Sequence, residues 1–316
     1  MKNNVKIYIV CNDPYLTKSI IDDIFDESFQ VDCIVPKYEI LSNSIDQYTA
    51  YYASASVQAD KKLLSKAKLL KVIATPSTGT DHIDRKFAEN NGIQIIDIAK
   101  EYELLDTFSA TAEMAWCLLL SLIRHLPQAF IDAKNGVWSR QKHTGIQLLG
   151  KTIGILGFGR LGKMMAQNAL GFRMNVLACD LNPINEPGVR PVDFDTLIKE
   201  SDFITIHVHL SDQTRGMIDD TAFSKMKNGA FLINTSRGAI INENALLDAL
   251  ISGKLAGAGL DVICGEWDQN LDRHPLIQYA NTHSNLIITP HIAGSTTESI
   301  EDARIFTAKK LANYLK

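Results

Sequence analysis

Short apolar runs alternate with segments of helical periodicity along nearly the whole chain. In the first part, runs that predict buried strands lie at residues 5–10, 31–35, 69–74 and 93–98. Amphipathic helices are predicted at 15–24 and 84–90. A longer helix is predicted over 109–133, with a kink at Pro127 because proline cannot donate the helical hydrogen bond. This alternation is typical of parallel sheets that are covered by helices.

A second series of apolar runs begins after Gly150. It predicts six strands, at residues 153–156, 176–178, 203–208, 230–233, 257–262 and 286–289. Helical segments separate most of them, and six strands are the number in a complete dinucleotide-binding sheet. Residues 296–316 have the pattern of one amphipathic helix. The chain of 316 residues is long enough for two α/β domains, each with its own core.

Composition and charge exclude several classes of protein. The net charge of −4 and the lack of a basic segment argue against a nucleic-acid-binding protein. The longest apolar run, residues 114–123, is shorter than the roughly 20 residues that span a bilayer, and the amino terminus does not resemble a secretory leader. The five cysteines are odd in number and lack a CxxC spacing, which is typical of thiols in a reducing cytoplasm. We therefore expect a cytoplasmic protein that binds neither nucleic acid nor membrane.

A glycine-rich turn joins the run 152–156 to a helical segment. Its glycines are Gly157, Gly159 and Gly162. In that order, such glycines allow a tight turn, close approach of the backbone to a pyrophosphate, and close packing of helix on strand. The first amides of the helix would then face the phosphates. The sequence predicts a dinucleotide site at this turn.

Asp180 indicates which dinucleotide binds. It follows the next predicted strand, 18 residues after Gly162, close to the spacing at which an acid contacts the adenosine ribose. A carboxylate there accepts a hydrogen bond from the 2′-hydroxyl of NAD and repels the 2′-phosphate of NADP. The residues that follow, 181–183, supply no cation for that phosphate. We therefore expect NAD as the cofactor.

Three late segments each place one reactive side chain after a predicted strand: Arg237, Glu266 and His291. Arginine binds a carboxylate in a bidentate manner, and histidine exchanges protons near neutral pH. A carboxylate beside the histidine would favour the imidazolium. Taken singly, Arg237 could be a surface ion-pair partner, Glu266 a solvated acid and His291 a turn residue. Together they fit reduction of a 2-keto acid.

These residues resemble the D-2-hydroxyacid dehydrogenase family, which includes phosphoglycerate, formate and D-lactate dehydrogenases. The resemblance covers almost the whole chain and rests on residues 77–84, on 150–162 and on the three late segments. It implies that Arg237, Glu266 and His291 are catalytic and that Ser77, Thr78 and Gly79 hold the substrate carboxylate. It also implies a set of residues that bind NAD: Gly157, Gly159, Arg160, Leu161, Gly162, Asp180, Val208, Thr214, Thr235, Ser236 and Asp261. Asp261 would bind the nicotinamide carboxamide.

The resemblance also implies the domain organisation. Residues 1–101 and 290–316 would form a discontinuous substrate domain, and 102–289 the NAD-binding Rossmann domain. Each domain would be a Rossmann-like or flavodoxin-like parallel sheet with helices on both faces, with a cleft between the two domains. Members of the family usually form homodimers through the helix at 109–133. The partners expected are therefore a small 2-hydroxy or 2-keto acid and a second copy of the chain.

The chain departs from the family pattern in three places. Thr75 stands where relatives often have an arginine, which argues against a phosphorylated substrate. Trp267 replaces the proline that usually follows the catalytic acid. His207 and His209 replace a His-x-Pro pattern; they are a conceivable metal pair, but no third ligand is evident, and we expect no metal and place His209 against the adenine.

Two further hypotheses stay open at this stage. A few proteins with this fold and these residues are transcriptional corepressors that sense NAD, although this chain shows no disordered interaction tail. An enzyme with the same fold could also oxidise another substrate, such as formate or a phosphonate, because the residues that precede Gly79 are unusual.

Overall fold

The computed structural model describes residues 6–268 and 270–316, which fold into two compact units. Unit 1 comprises the chain up to Phe108 together with Ser295–Lys316, and unit 2 comprises Ser109–Gly294. The boundaries expected from the sequence, after residues 101 and 289, lie a few residues before these breaks. Residues 290–294, including His291, are therefore part of unit 2 in the structure.

Unit 1 is built on one parallel sheet of five strands in the order β2-β1-β3-β4-β5. The strands are β1 (Ile7–Cys11), β2 (Phe29–Cys33), β3 (Ala50–Tyr52), β4 (Val72–Ala74) and β5 (Gln94–Ile96). The helices are α1 (Lys18–Ile24), α2 (Tyr38–Ser42), α3 (Lys61–Leu64), α4 (Arg85–Asn90), α5 (Tyr102–Leu105) and the last helix of the chain, α13 (Thr297–Leu315). Helices α1 and α13 pack on one face of the sheet, and α2, α3 and α4 on the other.

Unit 2 contains a parallel sheet of seven strands in the order β12-β11-β10-β9-β6-β7-β8. The strands are β6 (Thr152–Leu156), β7 (Asn175–Cys179), β8 (Val189–Pro191), β9 (Phe203–Ile206), β10 (Ala230–Asn234), β11 (Leu255–Leu260) and β12 (Leu286–Ile288). The helices are α6 (Ala110–Ile123), α7 (Leu126–Lys134), α8 (Arg160–Gly171), α9 (Phe194–Glu200), α10 (Asp220–Lys225), α11 (Glu243–Ile251) and α12 (Pro275–Ala280).

Alternation of side chains along these strands builds two apolar layers in unit 2. Phe203 and Ile233 face α6 and α8, whereas Ile204 and Leu232 face α9, α10, α11 and α12. Because both faces are buried, the strands read as continuous apolar runs. The prediction of α/β domains whose parallel sheets carry helices on both faces is confirmed.

Three details of the predicted elements were wrong. Strands β3 and β8 were missed, because each has only three residues and Pro191 masks the second. The helix predicted over 109–133 is two helices, and the break lies before Pro127, at His125, whose φ is 53°. Pro127 instead stands in the first turn of α7, where its missing N–H has no helical acceptor anyway.

Among the described residues, no single helix is long and apolar enough to cross a membrane. Only the pair Tyr102–Ile123 and Leu126–Lys134 has the length and composition together, and it is bent by 64°.

Candidate active site

The three candidate catalytic residues follow three adjacent strands of unit 2. Arg237 follows β10, Glu266 follows β11 and His291 follows β12, and the sheet order is β12-β11-β10. The carboxyl ends of parallel strands lie at one edge of the sheet, which is where ligands bind in open α/β sheets. The structure therefore places the three side chains at the same edge.

Glu266 and His291 are in direct contact. Nδ1 of His291 lies 2.9 Å from each carboxylate oxygen of Glu266. The Glu266 side chain is 14% exposed and that of His291 is 43% exposed, so the acid is shielded while the imidazole reaches solvent. Because a carboxylate only accepts, Nδ1 carries a proton and donates it. Nε2 is then the nitrogen that can exchange a proton with a substrate.

The backbone at His291 is strained and firmly held. Its φ of 53° lies in the left-handed region, which is uncommon for a residue with a Cβ. Its N–H donates to the carbonyl oxygens of Asp261 and Thr289, both at 2.9 Å. The buried Asp261 carboxylate also accepts from the Thr289 hydroxyl and from the amides of Ile292 and Ala293, at 2.9 and 2.7 Å. Asp261 therefore fixes the turn that presents the histidine.

Arg237 is held by the turn that follows β10. Asn234, which is fully buried, accepts from the amide of Ser236 at 2.9 Å and donates to the carbonyl of Arg237 at 2.9 Å. Nη1 of Arg237 donates to the carbonyl of Ser236 at 2.7 Å. A Cβ on Gly238 would lie 2.2 Å from the carbonyl carbon of Ile263. Glycine at this position therefore lets the Arg237 turn pack directly on the segment that leads to Glu266.

The three glycines of the turn after β6 have different surroundings. Gly157 has a φ of 93°, and a Cβ there would lie 2.6 Å from the backbone of His207. A Cβ on Gly162 would lie 2.2 Å from the Gly157 carbonyl oxygen, so this glycine allows α8 to approach the turn. A Cβ on Gly159 would meet no atom of the described chain within 4 Å. Packing requires the first and third glycines, whereas the second borders open space, as the predicted approach of a pyrophosphate requires.

Asp180 connects the end of β7 to the same turn. Its carboxylate accepts from the amide of Phe158 at 2.6 Å and from the amide of Asn182 at 2.8 Å. Partial burial raises the pKa of Asp180, but these hydrogen bonds outweigh it and hold the pKa below its ordinary value. The acid is therefore ionised at neutral pH beside the glycine turn, as contact with a ribose hydroxyl requires.

Two buried polar atoms lie at the ends of neighbouring strands of this sheet. Oγ1 of Thr235, after β10, and Nδ1 of His207, after β9, have no hydrogen-bond partner in the part of the chain that the structure describes. Nε2 of His207 is bonded to the hydroxyl of Thr205 at 2.8 Å, and burial lowers the pKa of His207 to about 4. Unpaired buried polar atoms are costly, so a cofactor that supplies partners would stabilise this edge.

Comparison with known proteins decides the family. Residues 116–293 match the family described as D-isomer specific 2-hydroxyacid dehydrogenase, NAD binding domain. The hydroxypyruvate reductase of Thermotoga maritima is 36% identical over 279 residues, which cover 88% of this chain and 85% of that protein. The glyoxylate reductase of Thermococcus litoralis is 34% identical, with 98% of this chain and 94% of that protein covered.

The chain belongs to the D-isomer specific 2-hydroxyacid dehydrogenases.

Two further proteins are similar to this chain, one in its three-dimensional structure and one in its sequence. The D-lactate dehydrogenase from Aquifex aeolicus, solved with NAD and lactic acid, has a TM-score of 0.85 and 29% identity, covering 98% of this chain and 95% of that one. The D-3-phosphoglycerate dehydrogenase of Archaeoglobus fulgidus is 36% identical over 282 residues. This chain spans 51% of the length of that relative.

The remaining residues predicted to bind NAD surround the same sheet edge. Val208 is half-buried after β9, and Ser236 is half-buried after β10. The hydroxyl of Thr214 donates to the carbonyl of His209 at 2.7 Å and accepts from the amide of Ser211 at 2.8 Å, which shapes the loop after β9. Arg160 and Leu161 form the first turn of α8, where backbone amides lack helical acceptors. Their roles toward NAD stay predictions.

The predicted substrate residues lie in unit 1. Ser77, Thr78 and Gly79 follow β4, and Thr78 is exposed. Thr75, at the position where relatives often have arginine, is fully buried, and its hydroxyl contacts Nε2 of His82 at 3.2 Å. This position therefore offers an uncharged, internally bonded side chain rather than a cation.

Sequence reasoning missed two residues that organise the site. Asn234 holds the Arg237 turn, and Thr289 takes part in the Asp261 network. A signal was present, because each is a polar residue at the end of an apolar run, where a buried polar side chain needs partners.

Proposed function

We propose that this chain is an NAD-dependent dehydrogenase that interconverts a D-2-hydroxy acid and the corresponding 2-keto acid. The observation that carries the proposal is the contact between Glu266 and His291, at 2.9 Å, on the sheet edge that also carries Arg237. The glycine turn and Asp180 belong to the same unit. When bound there, NAD supplies the hydride acceptor for oxidation and, as NADH, the hydride donor for reduction.

His291 carries the proton in this proposal. During reduction, Nε2–H donates a proton to the oxygen that develops negative charge at carbon 2; during oxidation, Nε2 accepts the hydroxyl proton. Glu266 accepts from Nδ1–H in both directions, so the ring keeps one orientation. The Asp261 network holds the backbone so that the imidazole faces solvent rather than the core.

Arg237 binds the substrate carboxylate in this proposal. Its guanidinium carries five N–H donors in a planar fork, the geometry that binds a carboxylate in a bidentate manner, and Nη1 also donates to the Ser236 carbonyl. The permanent charge of Arg237 also polarises the adjacent carbonyl and favours attack at carbon 2.

We propose a short, unphosphorylated 2-keto acid as the substrate. The uncharged, buried Thr75 removes one cation that could hold a phosphate. Two relatives with high coverage are named hydroxypyruvate reductase and glyoxylate reductase, and a structural neighbour is a D-lactate dehydrogenase. Hydroxypyruvate, glyoxylate and pyruvate are therefore the first compounds to test.

We also propose that the protein is a homodimer and resides in the cytoplasm. Large apolar side chains are exposed on and after α7: Leu126 (57%), Phe130 (63%), Ile131 (54%) and Trp138 (87%). Exposed apolar residues that cluster in this way favour a protein interface, and a second copy would cover them.

The proposed cytoplasmic location is supported by the cysteines of the chain, which are free thiols, the state that a reducing cytoplasm maintains.

The test is NADH oxidation by the purified protein with glyoxylate, hydroxypyruvate, pyruvate, 3-phosphohydroxypyruvate and bulkier keto acids, alongside NAD reduction with formate. We expect turnover of at least one short keto acid and a lower kcat/KM for the phosphorylated compound. Turnover of formate alone would contradict the proposed substrate class. Tight NADH binding without turnover of any compound would contradict an enzyme and favour a protein that senses NAD.

A further inference from the structure

Glu243, which none of the sequence patterns assigns to the site, contacts the chain on both sides of Glu266. It is the first residue of α11, and its side chain is 17% exposed. Oε1 accepts from the backbone N–H of Cys264 at 2.7 Å, and Oε2 lies 3.3 Å from Nε2 of His274. Cys264 precedes Glu266 by two residues and His274 follows it by eight. One carboxylate therefore accepts a hydrogen bond from the chain before Glu266 and lies within ion-pair distance of the chain after it.

His274 is held in place at the start of the next helix. It is the N-cap of α12, and its Nδ1 accepts from the amide of Leu276 at 3.3 Å. In the neutral ring the proton is therefore on Nε2, the nitrogen that lies 3.3 Å from Oε2 of Glu243. Pro275 fixes the first residue of α12 immediately after the contact.

The contact at Cys264 lies in a tightly packed place. Gly238, next to Arg237, leaves no room for a Cβ against Ile263 and Cys264. Burial first, and then the Glu243 carboxylate, raise the pKa of the Cys264 thiol to about 11, so the thiol is uncharged at neutral pH. The other charged groups that face it are Arg215 and Glu266. With no charge on the thiol, the Glu243 carboxylate bonds the backbone there without opposing a thiolate.

We propose that Glu243 is a positioning residue for the reaction, and that its hydrogen bond to Cys264 and its ion-pair contact with His274 hold the Glu266 carboxylate against Nδ1 of His291. This inference rests on the proposed function, because it concerns the same proton transfer. Glu243 touches neither substrate nor cofactor in this role. Its effect reaches His291 through the backbone of Cys264 and the side chain of Glu266.

The test compares Glu243→Ala with Glu266→Gln in keto-acid reduction. If Glu243 positions Glu266, its loss lowers kcat by about tenfold while the Kd for NADH and the KM for the keto acid change by less than about twofold. Glu266→Gln should lower kcat in the same way, because it replaces the carboxylate that accepts from Nδ1–H of His291.

A second measurement does not depend on activity. Hydrogen–deuterium exchange of the peptide that contains Cys264 should be faster in Glu243→Ala than in the wild type, because the Cys264 N–H loses its acceptor, and unchanged in Glu266→Gln. Glu243→Gln retains one acceptor oxygen and should give intermediate results, which keeps the test available if the alanine variant does not fold. Asp220→Asn is the matched control, since Asp220 is the exposed first residue of α10 and should behave as wild type.

The two proposals fail in different ways. If the wild type is active and Glu266→Gln lowers kcat, but Glu243→Ala and Glu243→Gln match the wild type in kcat and in exchange, the positioning role is wrong and the proposed function stands. If the wild type turns over no keto acid, the proposed function is wrong. Unchanged exchange at Cys264 in Glu243→Ala and Glu243→Gln overturns the positioning role, whether or not the wild type is active.

Discussion

The turns that follow β1 and β6 occupy equivalent positions in two similar sheets. One turn is filled by buried side chains, and the other contains glycines. β1 lies between β2 and β3, and β6 lies between β7 and β9, so each is a strand at which the chain order of its sheet changes direction. Open α/β sheets bind ligands at such points. After β6 the turn contains glycines, and one of them, Gly159, borders open space.

After β1, by contrast, side chains fill the corresponding turn. Asn12 is fully buried, donates to the hydroxyl of Tyr51 at 2.8 Å and accepts from the amide of Ser54 at 2.7 Å. Asp13 is buried beside it and accepts from Nε of Arg304 at 3.2 Å. Topology therefore marks a place where a ligand can bind, and the volume of the residues there decides whether one does.

The largest effect should come from the proton-transfer residue of unit 2. His291→Asn should lower kcat by about 10²- to 10⁴-fold, because asparagine cannot exchange the proton. Asparagine tolerates the left-handed backbone of this position, so the fold should persist. Steady-state kinetics and NADH titration measure this, with His283→Asn as the control at an exposed histidine. Wild-type turnover in His291→Asn would remove the histidine from the mechanism.

Gly159→Ala tests the open side of the β6 turn. A Cβ there meets no described atom, so thermal stability should match the wild type, while the Kd for NADH should rise by about 10- to 100-fold as the methyl group displaces the pyrophosphate. Gly171→Ala, at the other end of α8 and also without a neighbour within 4 Å, is the matched control. Unchanged NADH binding in Gly159→Ala would mean that the pyrophosphate lies elsewhere.

Asn12→Ala tests the filled turn after β1 and should have the reverse signature. It leaves the Tyr51 hydroxyl and the Ser54 amide without their partner, so the free energy of unfolding should fall by about 1–3 kcal/mol. The Kd for NADH should not change. Chemical denaturation measures the first quantity, with the exposed Asn43→Ala as the control. A loss of NADH affinity without a loss of stability would contradict a purely structural role for the turn after β1.

The smallest effect concerns the choice of cofactor. Asp180→Ala removes the ionised carboxylate beside the β6 turn, so the ratio of kcat/KM for NADH to that for NADPH should fall by about tenfold. Kinetics with each cofactor at a fixed keto-acid concentration give this ratio. An unaltered ratio would show that Asp180 only supports the turn through Phe158.

The sequence predicted best those features whose residues lie close together along the chain. The strand, the glycine turn and Asp180 lie within 30 residues, and packing requires the glycines at 157 and 162. Strand β3 was missed because three buried residues have no periodicity, and the break at His125 because a left-handed residue leaves no pattern. The bonds of Glu243 join residues more than 20 positions apart, which only the tertiary structure brings together.

The handedness of the product tests the central claim most directly. The purified protein should be incubated with NADH and the short keto acid that it turns over fastest, chosen from pyruvate and hydroxypyruvate, and the hydroxy acid formed should be resolved on a chiral column. A D-2-hydroxy acid, formed in step with NADH oxidation and absent with His291→Asn, is the predicted result. An L-product, or NADH oxidation without a hydroxy acid, would contradict the account.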